Sequence, residues 1–130
     1  DLCGEKVSAR QVEAGLAAAA VGARWSFALL APELSPRPRY VLYLESEEGA
    51  EALRGVGAAL EAHLATGHHY AYCRRLGQLG PLEVRRVRDG ASRALAARLG
   101  WGQRLGDIKP SLLDRRAGVW GAALGASEPL

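Results

Sequence analysis

Methionine is absent from this chain and its first residue is Asp1, which together point to a segment of something longer. Cysteine is nearly absent as well. Cys3 and Cys73 are too few for a disulfide framework, and a reduced chain in an intracellular, cytoplasmic setting is expected. No apolar run approaches membrane-spanning length and no signal peptide is visible, so no membrane contact is expected from this segment. Glycine-rich phosphate cradles are missing: Gly100-Trp101-Gly102 lacks the following helix start and lysine that such a loop needs. A self-contained enzyme is therefore not expected. Histidine is sparse, and His63, His68 and His69 with Cys73 match no closed tetrahedral spacing, so no metal is expected. Phe27, Tyr40 and Tyr43 lie near arginines, but the glycine–aromatic motif of an RNA-stacking sheet is lacking, and no nucleic-acid partner is expected.

What is present suffices for a core. The chain has 130 residues, 48% of them hydrophobic, a composition that excludes disorder and fits one domain spanning 1–130. Much of that hydrophobicity is alanine, which packs helices closely but buries little area per residue. The net charge of +3 is carried mostly by arginine, a modest excess of the kind a solvated surface shows.

Residues 1–7 are too short for an element of their own and read as a hinge or linker. Ser8 with Gln11 forms a capping box, and Val12, Leu16 and Ala19 follow at helical spacing up to Gly22. Trp25 to Leu30 reads as a strand ended by Pro32. Arg39–Glu45, rich in aromatic and branched residues, is the best strand of the chain, and the short connection predicts antiparallel pairing with the first. Ser46 is expected to cap a helix with Glu47 and Glu48 in its first turn, with Leu53, Val56, Leu60 and Leu64 on one face and a stop at Gly67. His68 to Arg75 fits either a helical turn or an extended lead-in.

The stretch Gly80-Pro81-Leu82-Glu83-Val84-Arg85-Arg86-Val87-Arg88-Asp89-Gly90 reads as a central strand. Its alternation slips at Val87, where a bulge or strand end is expected, and Pro81 should be its first residue. Leu95 and Leu99 mark a short helix to Gly100, and 101–106 is a loop. A last helix is expected from Ser111, with Leu113, Ala117, Trp120 and Leu124 on one face. Residues 126–130 should form a frayed tail. The order α-β-β-α-β-α-α predicts an α/β (α+β) domain, a small mixed or antiparallel sheet with helices packed on one face.

Lys109 is the candidate for chemistry. It directly precedes Pro110, which holds it extended and away from helical geometry. A cation on a stiff loop suits a place where a transferring phosphate gains charge.

Taken together, Gly4-Glu5-Lys6, Arg39 to Glu45, Tyr70 followed by Arg74, Gly80 to Gly90 and Gly106-Asp107-Ile108-Lys109-Pro110 occur in an order that resembles the C-terminal domain of the Gretchen Hagen acyl-acid amido synthetases, the auxin-responsive promoter family. The alanine- and arginine-rich character is most similar to the family's animal branch. The resemblance implies the C-terminal lid domain of an adenylate-forming protein. In such a protein a carboxylic acid attacks the α-phosphate of Mg-ATP, and an amino acid amine opens the acyl-adenylate to an amide. It implies that ATP and Mg2+ are bound mainly by an N-terminal adenylation domain, the partner of this one, and that the lid swings between half-reactions about a hinge near Asp1 and Leu2. Lys109 then stands where the family carries its lid lysine. Two departures stand beside the match: the family's lysine is followed by one residue and then Pro-Arg, and its Gly-Thr-Phe is Gly90-Ala91-Ser92 here. They give the alternative its content, a pseudo-enzyme that keeps the fold as a protein-interaction module.

Overall fold

Arg39–Glu45 forms the middle strand of a three-stranded sheet, with Phe27–Glu33 antiparallel on one side and Glu83–Arg86 parallel on the other. In the computed structural model, residues 2–109, 111–126 and 129–130 are described. The order is α1 (Ala9–Ala19), β1 (Phe27–Glu33), β2 (Arg39–Glu45), α2 (Ala50–Leu64), α3 (His68–Arg75), β3 (Glu83–Arg86), α4 (Gly90–Gly100), a 3-10 turn (Leu105–Asp107) and α5 (Trp120–Ala123). The mixed sheet and its helices make an α+β domain. The stretch expected to be the central strand is thus an edge strand. Pro81 precedes β3 instead of opening it, and β3 ends where the alternation slips, with Val87 N–H donating to the Leu44 carbonyl at 2.9 Å.

β1 and β2 each bury five consecutive residues, which is why both read as apolar runs and not as an alternation. Leu42, Leu44 and Tyr40 face Leu16, Leu53, Leu60 and Tyr70 on one side. Val41 and Tyr43 face Ala94, Trp120 and Leu124 on the other. Helices therefore cover both faces, a correction to the one-sided packing expected from the element order. Both faces of the middle strand are apolar, so each needs its own cover.

Ser8 caps α1 as its spacing predicts: Gln11 N–H donates to Ser8 Oγ at 3.2 Å, and Ser8 N–H to Gln11 Oε1 at 2.8 Å. Ser46, in contrast, does not cap α2. Its hydroxyl donates to the Arg24 carbonyl and accepts the Glu48 N–H, and Gly49 takes the cap position. The apolar face of α2 is buried as expected. Gly67 opens α3, and His68 to Arg75 is helical, turning Tyr70 and Cys73 inward.

Pro32 does not end β1. Leu30 donates to the Leu112 carbonyl at 2.8 Å, Asp114 donates to Leu30, and Gly118 donates to the Pro32 carbonyl. Pro32's backbone therefore faces the outer edge, where a missing N–H removes no bond to β2. The same bonds explain why the helix expected from Ser111 shrinks to the single turn of α5. Residues 112–114 run extended along β1, placing Leu113 on one face of the sheet and Trp120 and Leu124 on the other. Of the tail, Leu130 N–H donates to the Val84 carbonyl at 2.8 Å and Pro129 pairs with Arg85; Ser127 and Glu128 lie outside the described residues.

Cys3 and Cys73 are joined in a disulfide, their Cα atoms 6.6 Å apart, which corrects the reduced state expected from cysteine count. The partners are 70 residues apart in sequence, and only the docking of α3 against the entry segment brings them within bridging range.

The short helix marked by Leu95 and Leu99 is α4, in which Ala94 and Arg98 are buried while Leu95 and Leu99 are exposed. The cause lies at its start, where a Cβ on Gly90 would sit 2.4 Å from the Phe27 ring. The helix approaches the sheet along its smallest residues. Gly90→Ala is expected to overpack this contact and cost roughly 1–3 kcal/mol, read as a lowered urea midpoint. The start of α4 is held by Glu45, whose carboxylate accepts the Asp89 N–H at 2.8 Å and the Gly90 N–H at 2.9 Å, an anion at the positive end of a helix.

Candidate functional site

Lys109 lies between the 3-10 turn and the extended segment that runs along β1, and it is exposed. Among the described residues no hydrogen bond or ion pair engages its amine. Pro110, on which its expected stiffness rests, is outside them. Its neighbours Ile108 and Ser111 line a groove of about 480 Å³ between β1 and α4, floored by Phe27, Ala28 and Leu29 and walled by Ala91, Ala94 and Leu95. The groove is mainly apolar, with Glu13 and Arg98 as its charged lining. Leu95, in its lining, and Leu99, Trp101 and Leu105 are exposed.

A second constellation is buried. Gly4, at φ +92°, turns the entry segment back so that Glu5 accepts the N–H groups of Leu2 at 2.5 Å and Cys3 at 2.7 Å. Tyr40, at the start of β2, donates its hydroxyl to Glu5 at 2.5 Å. The Tyr40 and Tyr70 rings lie 6.4 Å apart, and Tyr70 donates to Glu61 at 3.1 Å. Arg74 closes the chain with a 2.5 Å bond to Glu61 and a longer one to the Leu79 carbonyl. Glu5, Tyr40, Tyr70 and Arg74, scattered in sequence, thus form a polar path from the entry segment to the lead-in of β3. Glu61 is the member that sequence reading missed, because it sits among alanines on an otherwise ordinary helix.

Burial pushes the Glu5 carboxyl up, but the Tyr40 hydroxyl and the N–H groups of Cys3 and Leu2 outweigh it and hold the group below its ordinary value. Burial, reinforced by Glu5, pushes the Tyr40 hydroxyl well up. Tyr70 is likewise pushed up by burial and by the charge of Glu61, and Tyr43 rises to about 12 by burial and Glu33. These raised values stabilise the fold below the ordinary tyrosine value of 10.0. As pH climbs past it the unfolded chain releases protons that the folded one keeps, and stability falls. Tyrosinate absorbance from these three should therefore appear together with loss of circular dichroism, not ahead of it.

Cys3, Glu5 and Cys73 are the one group of three potential ligands among the described residues, and the two sulfurs are bonded to each other. The three histidines and Cys73 do not assemble. Of the aromatics weighed for a stacking sheet, Phe27, Tyr40 and Tyr43, the two tyrosines are buried on opposite faces of the sheet. No helix among the described residues is long and apolar enough to cross a membrane.

Comparison with known proteins places this geometry. The model of the GH3 family C-terminal domain matches residues 10–116. No curated protein matches the chain. Among solved structures the chain is similar to GH3.15 acyl acid amido synthetase, with a TM-score of 0.67 at 17% identity. It is also similar to AtGH3.15 acyl acid amido synthetase in complex with 2,4-DB, with a TM-score of 0.69 at 17% identity. Each comparison covers 92% of this chain and 24% of the other, so the chain spans about a quarter of the length of these structures.

Proposed function

This chain belongs to the GH3 family as its C-terminal domain, and from that premise we propose that it is the mobile lid of an adenylate-forming, acyl-acid amido-synthetase-like protein, incapable of turnover alone. The observation that carries the reading is Lys109 itself, exposed and unengaged among the described residues, in a segment whose Ile108 and Ser111 line an apolar groove. A lone domain gains nothing by leaving Leu95, Leu99 and Leu105 in water; a lid that closes on a second domain covers them.

In this reading the N-terminal domain holds Mg-ATP and the acyl acid. One exposed cation fits contact with a nucleotide held elsewhere. The acid's carboxylate oxygen attacks the α-phosphate and pyrophosphate leaves. The Lys109 amine offsets negative charge gathering on the phosphoryl and carboxylate oxygens. An amino acid amine then attacks the acyl carbon and AMP leaves, giving the amide. ATP–pyrophosphate exchange by the full-length protein over a panel of carboxylic acids tests this, and dependence of exchange on an acid is the expected result.

A second reading rests on the same apolar residues. Leu95, Leu99 and Leu105 serve a protein-interaction surface equally well without catalysis, and exchange with no acid in the panel would favour that pseudo-enzyme module.

A further inference from the structure

The loop that carries Lys109 is closed at its neck. Trp101, directly after α4, and Arg116 stand at its two ends, and the Arg116 guanidinium lies 4.7 Å over the Trp101 ring. Trp101 also meets the buried Trp120 edge-on, with centroids 5.0 Å apart. Asp114 joins the ends from below. Its carboxylate lies 3.6 Å from the guanidinium of Arg98, itself buried in α4, and 3.4 Å from that of Arg116, and it accepts the Arg116 N–H at 2.9 Å. Asp114 N–H is in turn fixed to the Leu30 carbonyl of β1. Lys109 therefore sits near the middle of a segment whose two ends are pinned to each other and to the sheet.

We propose that Trp101 and Arg116 are positioning residues for Lys109: they clasp the neck of its loop and so fix where the amine stands when the lid closes. The value of the clasp to catalysis rests on the lid reading above; the clasp itself does not. Pinning the ends shortens the free segment and removes loop conformations that would otherwise have to be frozen out at each closure. Cation–π stacking suits the task because both partners stay partly exposed, so the contact forms without burying the Arg116 charge. The clasp was invisible in sequence, where Trp101 reads as part of a glycine and arginine loop and Arg116 as one arginine among many.

Two readouts separate the clasp from the reaction. In Trp101→Ala the Arg104–Leu105 bond, exposed inside the loop, should be nicked by trypsin about tenfold faster, detected as a new N-terminus at Leu105. Trp101→Phe, which keeps a stacking face, should restore protection. An unchanged nicking rate in Trp101→Ala and in Arg116→Gln overturns the clasp. In the full-length protein, Trp101→Ala should lower kcat for acid-dependent exchange by about tenfold with KM for ATP unchanged, and should add nothing in a Lys109→Ala background. Independent, multiplying losses overturn the positioning role. Exchange absent from the wild type would sink the lid reading, leaving the clasp to be decided by the nicking rate.

Discussion

Lys109→Ala in the full-length protein is expected to lower acid-dependent ATP–pyrophosphate exchange by about 10²–10³-fold, the usual loss when one donor to a developing charge is removed. Its unfolding midpoint should stay within about 0.5 kcal/mol of wild type, because an exposed side chain with no partner among the described residues contributes little to the fold. That separation makes the experiment decisive, since a loss of exchange cannot then be blamed on a damaged domain. Lys109→Arg should recover only part of the rate: the charge survives, but a planar fork replaces a compact ammonium. Equal exchange in wild type and Lys109→Ala would remove this amine from the mechanism and leave the domain's covering role alone.

Glu5→Ala should damage the fold severely, costing about 2–4 kcal/mol, a large part of the 5–15 kcal/mol typical of such domains. Truncation strands the buried Tyr40 hydroxyl and frees the Leu2 and Cys3 N–H groups. It also lets go of the entry segment on which a lid would pivot. The pH dependence carries the same signature. Glu5 is held below its ordinary value of 4.5, so its stabilisation is complete above that pH. As pH falls, the unfolded chain takes up the proton first, and stability drops until the folded group is protonated too. Glu5→Gln should flatten this acid limb. Tyr40→Phe should weaken it by withdrawing the donor that favours the charged form. Urea midpoints of the three variants from pH 7 to pH 3 measure both effects, and parallel acid limbs in wild type and Glu5→Gln would show that Glu5 does not drive the transition.

How far the sequence could be read depended on the range of the interaction. Signals settled within one turn or one strand were legible. The Ser8–Gln11 box, the apolar face of α2 and the whole of β2 emerged with their residues in place. Errors came where a distant segment supplied the partner. Ser46 has the chemistry of a helix cap but spends its hydroxyl on Arg24. Pro32 continues β1 because residues 112–118 take the outer edge. Leu95 and Leu99 marked α4 correctly but did not show that Gly90 and Ala94 bring it onto the sheet by their small size.

The candidate site divides in the same way. Lys109 could be singled out from its own neighbours, and the motif residues Glu5, Tyr40, Tyr70 and Arg74 were visible as a set without a role. Their joining through Glu61, the clasp of Trp101 on Arg116 and the disulfide between Cys3 and Cys73 arise only when α3, α4 and the entry segment dock. The sequence by itself determined most of the elements and the family, because hydrophobic period, capping and motif order are local or ordered along the chain. The tertiary structure alone decided which strand lies at the edge, which face of α4 is wet and what holds the lysine loop. Those outcomes depend on pairings between residues tens of positions apart, and no local preference encodes them.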